Sequence, residues 1–261
     1  MTLLAVQGLG KAFGGVHANQ DLSFSIRAGT VHSIIGPNGA GKTSLINMLS
    51  GVYRPDAGSI RLDGVELAGQ AAHRFAAAGI GRTFQNLQVF FNMTALENVM
   101  VGRHLREHCS LLASLLRLPS LVRAEAACRE AARRLLRSVG LAAYEQAAAD
   151  SMPYGALKRL EIARALAAEP RVLLLDEPAA GLNATEAHEI DTLIKRLAAE
   201  GTTVVLVEHN MKLVMGVSDR VTVLERGRKL AEGTPDEVAR DPRVIEAYLG
   251  AVEGDAGAEH A

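Results

Sequence analysis

The chain has no surplus of either charge: 28 Lys and Arg stand against 29 Asp and Glu in 261 residues, a formal net charge of −1. Without a strong positive field, nucleic acid is not the expected partner. Cysteine is nearly missing too. Cys109 and Cys128 stand apart from each other and from any CxxC or Cys/His cluster, which excludes a disulfide framework and structural zinc and fits reduced thiols in the cytosol. No apolar run approaches the ~20 residues a spanning helix needs; VLLL at 172–175 and VVLV at 204–207 are strand length. The opening MTLLAVQGLGKAFGG lacks the basic start, apolar stretch and cleavage site of a secretory signal. A chain on the cytosolic side, touching a membrane only peripherally, is the expectation. Internal repeats and low-complexity linkers are absent as well.

What is present begins with strands. From Leu3 to Val65 the segments LLAVQGL, DLSFSIRAG, TVHSIIG and GSIRLDGV carry strand patterning, with Leu22, Phe24 and Ile26 alternating. They read as one sheet interrupted by GPNGAGKTSLINMLSG, a Gly-rich loop and a helix closing at Gly51. Residues from about Asn86 to Asp150 are rich in Ala, Leu and Arg, with apolar spacing at Ala127, Ala131, Leu135 and Val139, and predict helices. The many arginines there read as a solvated helix face, and the Leu-rich 111–118 as core or a subunit contact. After Gly155 the order is helix KRLEIARALAAE, strand RVLLLD, helix ATEAHEIDTLIKRLAAEG, strand TTVVLVE, which implies a mainly parallel sheet covered by helices. Near the end, TPDEVAR spells a capping box with Pro at the first helical position, DPRVIEAYLG follows as a short helix, and AVEGDAGAEHA reads as a frayed tail.

The run Gly36, Pro37, Asn38, Gly39, Ala40, Gly41, Lys42, Thr43, Ser44 satisfies GxxxxGK[ST] between a strand and a helix. Gly36, Gly39 and Gly41 allow backbone N–H groups to converge on phosphate oxygens, and the helix N-terminus faces the same anion. Lys42 is placed to neutralise the β and γ phosphates, and Thr43 to offer a hydroxyl to Mg²⁺. In VLLLDE an apolar strand ends in two carboxylates, where a parallel sheet exposes its functional residues. Asp176 suits Mg²⁺ through water, and Glu177 suits polarising the water that attacks the γ phosphate.

Those two motifs fit many nucleotide-hydrolysing enzymes. The further order, MPYGALKRLEIARALAAEP before the acidic strand, then PAAGLN and VVLVEH beyond it, resembles the ABC ATPase family across nearly the whole chain. The resemblance implies an α/β P-loop core with a mainly parallel sheet, an N-terminal antiparallel β subdomain and an α-helical subdomain at about 86–155. The ABC ATPase domain would span 1–250, with 251–261 a tail. It implies that Phe13 stacks on adenine, that Gln85 senses Mg²⁺ and water at the junction with the helical subdomain, and that His209 contacts the γ phosphate. PAAGLN would join the two sites, with Asn183 where the family usually has Asp. MPYGA at 152–156 occupies the place of the signature LSGGQ, so Tyr154 and Gly155 would face the ATP of a partner subunit. Only Gly155 matches the general signature outright, and its phosphate-binding hydroxyl is missing because Pro153 stands in place of Ser.

The segments GRTFQNLQVFFNMTALENVMVGRH, LLLDEPAAGLN and EHNMKLVMGVSDR resemble the larger ATPase subunit of branched-chain amino acid importers. That implies ATP and Mg²⁺ as ligands and a second ABC ATPase subunit, in a heterodimer or a homodimer. It also implies two transmembrane permeases and, indirectly, a periplasmic substrate-binding protein, with the chain peripheral on the cytoplasmic side of the inner membrane. ATPases of urea or amide import, of lipopolysaccharide export, and of iron–sulfur cluster assembly are the alternatives, since no substrate pocket is legible.

Overall fold

The computed structural model describes residues 1–106 and 119–255. Its strands form two sheets. The first is antiparallel, in the order β2-β1-β4-β5, from β1 (Thr2–Phe13), β2 (Val16–Arg27), β4 (Ala57–Leu62) and β5 (Val65–Glu66). Leu22, Phe24 and Ile26 alternate inward from β2 as their spacing predicts. The second sheet has the order β10-β9-β3-β8-β7-β6. It comprises β3 (Val31–Ile35), β6 (Ile80–Arg82), β7 (Val172–Asp176), β8 (Thr203–Val207), β9 (Arg220–Glu225) and β10 (Arg228–Gly233). It is parallel except for β10, which hairpins back along β9.

One expectation is corrected here. TVHSIIG is not part of the N-terminal sheet but the central strand β3 of the parallel one. All five residues of β3 are buried, which a sheet covered on both faces requires and a half-exposed antiparallel sheet does not. Its two polar side chains are paired inside: His32 Nε2 lies 2.8 Å from Thr222 Oγ1, and the Ser33 and Ser218 hydroxyls are 2.6 Å apart. Burial lowers the His32 pKa to about 4, so the imidazole is neutral.

The helices fill three places. Helix α1 (Lys42–Leu49) runs from the Gly-rich loop and buries Leu45, Ile46, Met48 and Leu49 between the sheets, with Phe75 of α2 (Ala72–Ala78). Helices α3 (Ala95–Gly102), α4 (Pro119–Ser138) and α5 (Tyr154–Leu166) pack on one another as the helical region. The buried stripe of α4 is Cys128, Ala131, Ala132 and Leu136, continued by Val139 in the turn after it, while Ala127 is exposed and Leu135 only half-buried. Of the expected stripe, Ala131 and Val139 are buried and Leu135 packs against the core; Ala127 alone faces solvent, and Cys128 beside it is buried in its place. The arginines of α4 do form a solvated face, since Arg129, Arg133 and Arg137 pair with Glu125, Glu130 and Glu145. The Leu-rich 111–118 lies outside the described residues. Helices α6 (Ala184–Ala199) and α7 (Met211–Val217) flank the sheet. The capping box Thr234–Glu237 opens α8 (Pro235–Ala239). Helix α9 (Pro242–Asp255) runs on into residues read as tail; the rest of that tail lies outside the described residues.

Candidate functional site

Strand register gathers the site at one end of the parallel sheet. Ile34 and Asp176 are both registered against Val207, and Arg82 against Leu174. The segments leaving β3, β6, β7 and β8 therefore emerge side by side, the end of such a sheet where ligands bind. After β3 comes the Gly36–Ser44 loop. Gly41 caps α1 in the left-handed conformation (φ 97°), and a Cβ there would stand 2.3 Å from the Ala18 carbonyl oxygen. Glycine is thus required at that position on two counts, strain and space. Lys42 Nζ donates to the carbonyls of Gly36 (2.7 Å) and Pro37 (3.0 Å), so the ammonium sits within the curl of the loop. Burial lowers its pKa from the ordinary lysine value, opposed by the Glu177 and Asp176 carboxylates. Asn38, Gly39 and Thr43 are exposed, Ala40 is buried, and Pro37 and Ser44 are intermediate.

At the end of β7, Asp176 is buried and Glu177 takes a left-handed backbone (φ 49°) that few non-glycine residues adopt. Gln85 Nε2 donates to Glu177 Oε2 at 3.3 Å, and His209 Nδ1 lies 3.5 Å from Glu177 Oε1. Two residues from two other loops, Gln85 and His209, thus converge on the Glu177 carboxylate. Burial raises the Asp176 pKa, and Arg82 acts against that shift through a 3.1 Å ion pair to Oδ2. Both side chains of this pair are under 10% exposed. Arg82 also donates to Asn47 Oδ1 (2.6 Å) and Ser50 Oγ (2.8 Å) of the α1 region, tying the acidic strand to the helix behind the loop.

Residues 19–180 match the family described as ABC transporter. The chain belongs to the ABC transporter family. Its C-terminal residues 228–254 match a second description, branched-chain amino acid ATP-binding cassette transporter. The high-affinity branched-chain amino acid transport ATP-binding protein BraF of Pseudomonas aeruginosa is 45% identical over 249 residues, 95% of this chain and 98% of that protein. LivG of Escherichia coli strain K12 is 43% identical with the same coverage. Among solved structures, the ADP conformation of MJ1267, an ATP-binding cassette of an ABC transporter, agrees with a TM-score of 0.83 at 32% identity, over 96% of this chain and 99% of that one. The chain is accordingly an ABC ATPase with the α/β cassette fold.

The remaining sequence-predicted residues of this ABC cassette sit on other elements, Phe13 on the first sheet, Tyr154 and Gly155 at the start of α5 and Asn183 at the start of α6. Phe13, 43% exposed, ends β1 with its ring edge-on to Tyr53 at 5.3 Å and Lys11 5.3 Å from its centroid. That leaves an aromatic surface open to a planar ligand. Tyr154 is half-exposed and packs over Gly181. Gly155 is buried, and a Cβ on it would stand 2.5 Å from Glu186 Oε1, so a side chain there would have to push the Glu186 carboxylate aside. Pro153 is the N-cap of α5 and offers no side-chain acceptor to the first-turn N–H groups. Asn183 is the N-cap of α6, accepting from Thr185 N and Glu186 N in a full capping box. Aspartate and asparagine serve that position alike.

Sequence reasoning passed over four residues. Arg82 lies within GRTFQNL, where nothing local marks it as the partner of Asp176. Glu208 is 1% exposed; its Oε1 accepts from Ala179 N, and its Oε2 from His209 N and Asn210 N, so it ties the turn after Glu177 to the His209 loop. Its signal was the one that flagged Asp176, an acid closing an apolar strand. Lys158 donates to Gln85 O (3.2 Å), and Glu161 accepts from Phe84 N (3.0 Å). Burial raises the Glu161 pKa. Helix α5, which begins at the signature, thereby grips the backbone around Gln85.

Proposed function

We propose that this chain is the ATP-hydrolysing motor of a branched-chain amino acid importer, peripheral on the cytoplasmic face of the inner membrane. The observation that carries the reading is the convergence of Lys42, Asp176, Glu177, Gln85 and His209 at one sheet end, in a chain whose BraF and LivG relatives are named for that transport. No helix of the described residues is long and apolar enough to cross a membrane, so permease subunits must supply the path.

The loop from Gly36 to Gly41 and Lys42 hold the polyphosphate, while the open face of Phe13 takes the adenine. Glu177 accepts the proton of the attacking water, Gln85 and His209 orient that water and the γ phosphate, and ADP and phosphate leave. The donors for Mg²⁺ fit a cation that prefers oxygens and substrate phosphates to an all-protein cage: the Thr43 hydroxyl, the Gln85 amide oxygen and the Asp176 carboxylate. Among the described residues no cluster of three or more His, Cys, Asp or Glu side chains competes for a metal. Bound Mg²⁺ supplies neutralising charge to the phosphates.

Tyr154, Gly155 and the uncapped N-terminus of α5 face the ATP of a second ABC ATPase subunit, so ATP joins the two subunits and its hydrolysis frees them. The permeases dock where Phe84, Phe90, Phe91 and Val101 are exposed, beside a cavity of about 240 Å³ lined in part by Val101, His104 and Arg164. The periplasmic binding protein acts through the permeases.

Two experiments test this. Lys42→Ala should weaken equilibrium binding of ATP by about a hundredfold, because the charge-assisted contacts of the ammonium to two phosphates vanish; unchanged affinity would reject the phosphate assignment. In vesicles carrying the permeases and binding protein, Gln85→Ala should retain ATP binding while substrate-stimulated hydrolysis and leucine uptake fall about tenfold or more, since a coupler biases an equilibrium rather than a binding site. Wild-type uptake by that variant would refute coupling through Gln85. If the wild-type assembly moved urea or lipid and no branched-chain amino acid, the substrate class would be wrong while the ATPase stood.

A further inference from the structure

Helix α5 carries two buried charges of opposite sign one turn apart, Lys158 (2% exposed) and Glu161 (3% exposed). Each is directed at main chain. Lys158 Nζ donates to the Gln85 carbonyl at 3.2 Å, and Glu161 Oε1 accepts from the Phe84 N–H at 3.0 Å, so the two bonds flank the Phe84–Gln85 peptide. The Gln85 main chain makes no hydrogen bond to other backbone among the described residues. Where β6 ends, Arg82 is held by Asp176, Asn47 and Ser50, and its guanidinium lies 4.7 Å from the centroid of the Phe84 ring. Past Phe84 the sheet no longer fixes the chain, and Lys158 does. Burying an ammonium is costly, and what it gives here is a charge-assisted bond, about twice as strong as a neutral one.

Lys158 also closes a circuit around Glu177. Its Nζ lies 5.8 Å from the centroid of the Tyr154 ring, one turn back along α5, within cation–π range. The same ring meets the loop that begins at Glu177: a Cβ on Gly181 would stand 3.2 Å from Tyr154 Cε1. Ala180 N donates to Glu177 O at 3.1 Å, folding that loop back on its first residue. Gln85 completes the path, with Nε2 donating to Glu177 Oε2 at 3.3 Å. Contacts therefore run from Glu177 through Gln85, Lys158 and Tyr154 to Gly181, starting and ending on one loop.

We propose that Lys158 is a positioning residue for ATP hydrolysis: by holding the Gln85 carbonyl it fixes the Gln85 amide against the Glu177 carboxylate. The proposal rests on the reading of Glu177 as the group that activates water. Lys158 acts through Gln85, so its loss changes where that amide stands and leaves the phosphate loop untouched.

The test separates turnover from binding. In vesicles carrying the permeases and binding protein, Lys158→Met should lower kcat for substrate-stimulated ATP hydrolysis about tenfold, the scale of one charge-assisted hydrogen bond. KM for ATP should stay within about twofold of wild type, because Lys42 and its loop are unchanged. Lys158→Arg keeps the charge and a donor and should recover kcat to within about threefold of wild type. In a Gln85→Ala background, Lys158→Met should add no more than about a twofold further loss, since two residues that act through one another are not additive. Lys158→Met leaves Glu161 buried without a counter-charge. Lys158→Met with Glu161→Gln removes both charges, keeps an acceptor for the Phe84 N–H, and should show the same fall in kcat with a melting temperature within about 3 °C of wild type. Wild-type kcat in either Met variant would overturn the proposal, as would a full tenfold further loss in the Gln85→Ala background. Wild-type hydrolysis by Glu177→Gln would instead remove the reading of the base, whereas an inactive Glu177→Gln beside a fully active Lys158→Met would count against Lys158 alone.

Discussion

Glu177→Gln should bind ATP with wild-type affinity and hydrolyse it about a thousandfold more slowly, the range lost when a general base is removed. Glutamine keeps the size of the side chain and its ability to accept a hydrogen bond, so Gln85 and His209, which approach the two carboxylate oxygens at 3.3 and 3.5 Å, keep a partner. What the amide cannot do is take a proton from water. The same variant should accumulate as an ATP-held pair of subunits in analytical ultracentrifugation, alone or with a second ABC ATPase, because hydrolysis no longer releases the shared nucleotide. Turnover within a few-fold of wild type would show that another group is the base, and ATP-independent monomers in both samples would show that Gly155 and α5 do not complete a partner's site.

Arg82→Ala should destabilise the chain by about 3 kcal/mol, because it leaves Asp176 buried without its cation, and breaking a buried pair costs far more than the pair contributes. For a chain of this size the melting temperature should fall by about 6 to 12 °C. The loss has a second part, since Arg82 also binds Asn47 and Ser50 and both acceptors lose a charged donor. Replacing both members of the pair, Arg82→Met with Asp176→Leu, should recover most of the stability and none of the hydrolysis. A melting temperature for Arg82→Ala within a degree or two of wild type would mean that the pair carries no structural weight.

The phosphate loop and the acidic strand were legible from the residues because their chemistry is local. Gly41 must be glycine for its own φ of 97°, and Asp176 and Glu177 follow directly on four apolar letters. The capping box at Thr234 belongs to the same class, closed within four residues, and so does the one at Asn183, which only the structure showed to be a cap. Helix α4 shows where local reading begins to fail. Its period is written in the sequence, but the phase that buries Cys128 and exposes Ala127 depends on which face α3 and α5 present. The strand β3 shows the failure in full, since five residues cannot say which of two sheets will hold them.

By itself the sequence determined the nucleotide chemistry, the alternation of strands and helices, the caps and the family. These are properties of residues a few positions apart, set by backbone conformation and side-chain type. Only the tertiary structure decided that β3 lies between β8 and β9, that Arg82 holds Asp176, that Glu208 ties two loops together, and that α5 grips the backbone of Gln85. Each joins chain segments that are far apart, and a buried charge or hydroxyl has no local signature: its position is settled by which partners the packing leaves within reach after water is excluded.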